Sequence, residues 1–176
     1  GVSTGVSVIV ARDFGAKEYD TMGKAIHTAI AAGLITGAAL SVAGVALTPT
    51  ILRWMGTPAE VLPQSIEYFA YYFCGAIFTV MYNIFVGILH AVGDSRHPLY
   101  YLIVSTFVNI VLDLLFVAKF GLGVPGVAIA TVISRIINLL IVMFAARKRI
   151  HAAKDPERLP NRTVLGQIIR IGLPSA

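Results

Sequence analysis

The chain has 176 residues, 57% hydrophobic and only 13% charged, whereas a soluble domain averages roughly 45–50% apolar and ~25% charged. A formal charge of +5 invites a nucleic-acid reading, but the basic residues sit at the ends of apolar runs and form no basic stripe with interleaved aromatics, so the implied partner is a lipid bilayer and not nucleic acid. A single cysteine, Cys74 in an apolar run, leaves no disulfide framework and no cysteine metal spacing.

Residues 1–14 read as part of a membrane helix that runs into Arg12 and Asp13 at an interface. A polar loop over 15–20 follows, then a helix over about 21–47 rich in Gly and Ala (Gly33, Gly37, Gly44). Small residues let neighbouring membrane helices approach closely, so this helix belongs inside a bundle, and Pro49 is expected to end it. Residues 50–64 read as an amphipathic connector, with Trp54 and the later Tyr68, Tyr71 and Tyr72 as an interfacial aromatic belt. A third helix is predicted over 65–90, a tight turn over 93–98, a fourth helix over 99–120, and a fifth over 125–146 with Pro125 in its first turn. The basic, polar stretch that follows reads as a linker, and another apolar segment starts at Leu165.

These elements predict an all-α integral membrane bundle. The opening Gly1-Val2, and the stop at Ala176 just after an apolar segment begins, read as a piece of a longer membrane protein. Eleven Lys and Arg fall on the side of the 15–20 loop, the 93–98 loop and the 147–164 linker. Arg53 and Lys119 lie on the other side, and Arg135 is left inside the fifth helix. That bias makes the eleven-residue side cytoplasmic.

The fourth helix carries the chemistry. It is long enough to cross ~30 Å of hydrocarbon, yet it holds Asn109 and Asp113, four apart and so on one face. A carboxylate in a membrane helix costs about 2.5 kcal/mol or more and usually faces a protein interior or a water-filled cavity. Counted from the hairpin at 121–124, Asp113 is ~12 Å deep and Thr131 on the next helix ~11 Å deep, with Asn109 and Arg135 a turn deeper. Carboxylate, amide and hydroxyl at matching depth suit a hard cation or a transferable proton. Arg135 is a possible ion-pair partner of Asp113, which would make the two a structural pair ordering the bundle. Tyr72 and Tyr82, in an aromatic stripe from Tyr68 onward, are candidates to line a pathway for an aromatic substrate. The four histidines lie on separate segments without ligand spacing, the Gly93–Arg96 loop lacks the spacing and lysine of a phosphate-binding loop, and no nucleophilic triad is apparent. No cofactor is expected, and no enzyme activity.

Several phrases resemble the multidrug and toxic compound extrusion (MATE) family. They are Ala11-Arg12-Asp13-Phe14-Gly15-Ala16-Lys17, His90-Ala91-Val92-Gly93-Asp94-Ser95-Arg96-His97-Pro98, Asn109-Ile-Val-Leu-Asp113, Gly121-Leu-Gly-Val-Pro-Gly126-Val-Ala-Ile-Ala-Thr131 and Ile171-Gly172-Leu173-Pro174-Ser175. The resemblance implies a twelve-helix transporter of two six-helix lobes that exports organic cations and other drugs against sodium ions or protons. Residues 1–150 would be N-terminal-lobe bundle from late helix 2 onward, 151–164 a cytoplasmic inter-lobe linker, and 165–176 the start of helix 7 and of the C-terminal lobe. It also implies an inner (plasma) membrane location and a partner in the C-terminal lobe of the same chain. Asn109, Asp113 and Thr131 fall on the family's cation-site positions, while Arg135 departs from the small or amide residue implied there. The function expected is a cation- or proton-coupled antiporter for small amphipathic organic substrates. The alternative is a lipid-linked oligosaccharide flippase or polysaccharide exporter of the same superfamily, which a cavity rich in Arg and Lys would favour. A membrane-embedded enzyme subunit or structural anchor would need His pairs or a loop-borne catalytic cluster, and neither is present.

Overall fold

The computed structural model describes residues 2–154, and within them every regular element is helical. In chain order these are α1 (Val2–Gly15), α2 (Tyr19–Trp54), α3 (Leu62–Cys74), α4 (Ala76–Ala91), α5 (His97–Leu114), a π-helical turn at Leu115–Lys119, and α6 (Gly123–Lys154). Four segments are long and apolar enough to cross a membrane: Tyr19–Trp54, Leu62–Ala91, His97–Lys119 and Gly123–Ala152. The chain is a multi-pass integral membrane bundle.

The core lies where α1, α2 and α6 meet α4. Met22, Ile84, Ile88, Leu89, Val10 and Val142 are fully buried there. Glycine on α2 permits the approach, as the small-residue pattern implied. A Cβ on Gly33 would collide with the end of the Ile84 side chain, and one on Gly37 would stand 2.9 Å from the Ile77 Cα. The second clash is with backbone, which cannot swing aside, so α4 fits against α2 only while residue 37 stays without a side chain.

Four boundaries differ from the sequence reading. Pro49 does not end α2, which continues to Trp54 and shortens the connector. A proline frees one carbonyl of the preceding turn, and membrane helices tolerate this where Ser or Thr hydroxyls satisfy nearby backbone groups. Thr48, beside the proline, donates its Oγ1 to the Gly44 carbonyl at 2.6 Å. The third span is two helices broken at Gly75, where α6 crosses so closely that a Cβ would meet Val132 Cγ2 at 3.2 Å and Arg135 Nη1 at 3.3 Å. The fourth span ends in the π turn, with Phe120 N donating to the Leu115 carbonyl at 3.1 Å. Finally, α6 runs through Arg147, Lys148 and Arg149 to Lys154, where a linker was expected, because Lys and Arg are good helix formers once the chain leaves the bilayer. The rest of the linker and the 165–176 segment lie outside the described residues.

Candidate functional site

Polar groups are concentrated between α5 and α6. On α5, Ser105, Asn109 and Asp113 recur every fourth residue and share a face. Ser105 is buried, and its Oγ donates to the Ser134 carbonyl of α6 at 3.4 Å. Near the hairpin, a Cβ on Gly126 would stand 3.4 Å from that of Phe116. Between these two contacts the antiparallel register sets Asn109 level with Thr131, and Asp113 about one turn nearer the hairpin. Counting residues had put Asp113 and Thr131 at one depth. The π turn contributes to the difference, since it packs an extra residue into one turn and the chain advances less than an α-helix would.

Asn109 Nδ2 and Asp113 Oδ1 are both shielded and have no hydrogen-bond partner. Unpaired buried polar atoms are costly and need a reason to persist. Thr131 Oγ1 donates to the Val127 carbonyl at 2.9 Å, which leaves its lone pairs as acceptors. No three His, Cys, Asp or Glu side chains converge among the described residues. Asp113 is the one carboxylate that α5 and α6 contribute within their described residues, with the amide and hydroxyl oxygens of Asn109 and Thr131 near it in register, oxygen donors of the kind a hard cation or a proton takes.

Arg135 turns away from this group. Its guanidinium carbon lies 4.3 Å from the centre of the Tyr72 ring on α3, and Nη1 donates to the Tyr72 carbonyl at 3.4 Å. None of the ion pairs among the described residues joins it to Asp113 or to any other carboxylate. The break at Gly75 explains the choice, because it exposes a carbonyl and a ring within reach of α6 one turn beyond Thr131. Tyr72 is partly exposed, whereas Tyr82 packs against the core.

Two features escaped the sequence reading. Asn138 is 7% exposed with its Oδ1 unpartnered. Its position, seven residues after Thr131 and so on a similar face, was the available signal. The second is a clamp at the end rich in Lys and Arg, where the 93–98 stretch showed only turn chemistry. Asp94 is buried; its Oδ1 accepts the His97 backbone N–H at 3.2 Å and lies 2.7 Å from His97 Nδ1, while Oδ2 accepts from Arg149 Nε at 3.0 Å. Burial alone would raise its pKa, but the His97 hydrogen bonds and the Arg149 charge outweigh burial and hold the carboxyl below the usual 3.8. The signal here was an Asp three residues ahead of His97-Pro98, a helix-start pattern.

The MatE family model matches residues 1–115. The chain belongs to the MatE family. Among curated relatives, it is 34% identical to the probable multidrug resistance protein YoeA of Bacillus subtilis, over all of this chain and 40% of that protein. It is 25% identical to the multidrug export protein MepA of Staphylococcus aureus, over 97% of this chain and 38% of that protein. A crystal structure of a MATE protein in a bent conformation superposes with a TM-score of 0.81 at 29% identity, over 99% of this chain and 40% of that one. The chain thus spans about two fifths of the length of these MatE relatives. They are named as multidrug resistance and multidrug export proteins, names that describe drug transporters.

Proposed function

We propose that this chain is lobe material of a cation- or proton-coupled antiporter that exports amphipathic organic compounds, with residues 1–150 forming the N-terminal-lobe bundle. Asp113 is the coupling carboxylate, and Asn109 and Thr131 are its supporting ligands. The observation that carries the reading is the shielded, unpartnered pair Asn109 Nδ2 and Asp113 Oδ1 on one face of α5, in a family whose relatives are named for multidrug export. The unpartnered Asp113 Oδ1 costs free energy when the site is empty, and a sodium ion or proton bound there, with Asn109 contributing its amide oxygen and not its Nδ2 donor, offsets that cost. Occupancy of the site would favour one packing of the two lobes over another, and rocking between them about a central cavity would alternate access.

The test uses the full-length transporter in proteoliposomes, following efflux of a fluorescent quinolone against an imposed sodium or proton gradient. Asp113→Asn is expected to abolish gradient-driven efflux and to leave downhill exchange measurable. Equal gradient-driven efflux in wild type and variant would remove Asp113 from the coupling role.

A further inference from the structure

Arg135 stands eleven residues beyond Val124, at the head of α6, and so about 16 Å into the membrane, near the middle of a ~30 Å hydrocarbon core. A cation there is expensive and is normally matched by an anion or by water. Among the described residues Arg135 has no carboxylate partner. Its support is the Tyr72 ring and the Tyr72 carbonyl, a bed that holds the guanidinium in place while leaving most of its five donors unused.

The bed continues toward the hairpin end of the bundle. Tyr72 stacks on Tyr68 with ring centres 6.4 Å apart and planes at 24°, and it meets Phe69 edge-on at 6.4 Å. Tyr68 and Phe69 in turn line an open cavity of about 320 Å³ with Gln64, Ser65 and Val124. An aromatic track therefore leads from this cavity to Arg135, a cation at mid-membrane depth with no carboxylate partner among the described residues. Aromatic faces hold flat organic bodies with little demand on their chemistry, whereas a guanidinium discriminates by charge and prefers the paired oxygens of a carboxylate, sulfonate or phosphate.

We infer that the substrate of this lobe is an aromatic amphipath bearing an anionic group, its ring body against Tyr68, Phe69 and Tyr72 and its anionic group on Arg135. The inference rests on the transport reading above and adds to it the charge of the molecule carried. It separates this chain from an exporter of purely cationic dyes.

The test is direct binding to the purified full-length transporter. A fluorescent quinolone carrying a free carboxylate and its methyl ester are each titrated by anisotropy against wild type, Arg135→Gln and Arg135→Lys. Arg135→Gln is expected to weaken binding of the acid about tenfold or more, the effect of losing a charge-assisted hydrogen bond, and to leave the ester within about twofold. Arg135→Lys should retain part of the preference, since it keeps the charge and loses the planar fork. Equal weakening of acid and ester by Arg135→Gln would overturn the inference and make Arg135 a structural residue. So would a wild type that binds the ester as tightly as the acid, or that binds neither. Efflux of the acid by the same preparation tests the transport reading separately: acid-selective binding that depends on Arg135, without gradient-driven efflux, would sink coupled export and leave the anion assignment standing.

Discussion

α4 and α5 cross the same bundle under very different constraints. α4 is gripped from three sides: Met81, Ile84, Phe85, Ile88 and Leu89 are buried against α1, α2 and α6, and at Gly87 a Cβ would stand only 2.9 Å from the Ser3 carbonyl of α1. α5 leans mainly on α6, and only Pro98 and Ser105 are buried along it. Its remaining surface shows Leu99, Ile103, Phe107 and Leu114 to lipid or to other segments of a longer protein. The helix that leans mainly on a single neighbour is the one that holds the shielded, unpartnered Asn109 Nδ2 and Asp113 Oδ1. Packing energy is concentrated in α4, while the polar chemistry sits on a helix whose shift would disturb little of the core, as expected of a functional element drawn from the less stable part of a fold.

The largest effect follows from truncation on the gripped side. Leu89→Ala should lower stability by about 2–5 kcal/mol, the usual range for a fully buried aliphatic. Phe107→Ala on α5 should change it by about 0.5 kcal/mol or less. Thermal midpoints of the full-length protein in detergent would measure both, and equal losses would end the distinction between the helices.

A smaller loss is expected at the clamp that ties the start of α5 to the end of α6. Asp94→Asn removes the charge that Arg149 and His97 address and should cost about 1–3 kcal/mol. The carboxyl is held below its ordinary value in the folded state. Its contribution is therefore full above about pH 4 and is lost as pH falls through the lowered folded value. A stability–pH curve should show an acid limb that Asp94→Asn flattens, and an unchanged limb would assign acid sensitivity elsewhere.

The smallest effect on stability should come from α5 itself. Asn109→Leu removes an unpartnered buried donor and should leave the thermal midpoint unchanged or raise stability by about 1 kcal/mol, while impairing coupled efflux. A large loss of stability would mean that Asn109 is a packing residue.

Much of this contrast was legible in the sequence. The apolar spans, the Asn109–Asp113 spacing and the hairpin beside Thr131 are strong local signals, since helical period and span length fix both face and approximate depth. What the sequence hid were decisions made between helices. A glycine in an apolar run does not announce a break, and at Gly75 it is the approach of Val132 and Arg135 that matters. Pro49 reads as a stop, but α2 carries through it with Thr48 bonded to Gly44. Arg135 was placed by counting near Asp113, yet its long side chain found the ring and carbonyl of Tyr72. The π turn shortened the advance of the chain between α5 and the hairpin, and a change in rise per residue leaves no mark on composition.

The most direct measurement of the central claim is ion binding to α5. Binding of radiolabelled sodium, and proton release reported by a pH indicator, would be compared in detergent between the full-length wild type and Asp113→Asn. The account predicts that one of these two signals is present in the wild type and lost in the variant, at an unchanged thermal midpoint. A signal of equal size in both proteins would contradict it and place the coupling ion elsewhere.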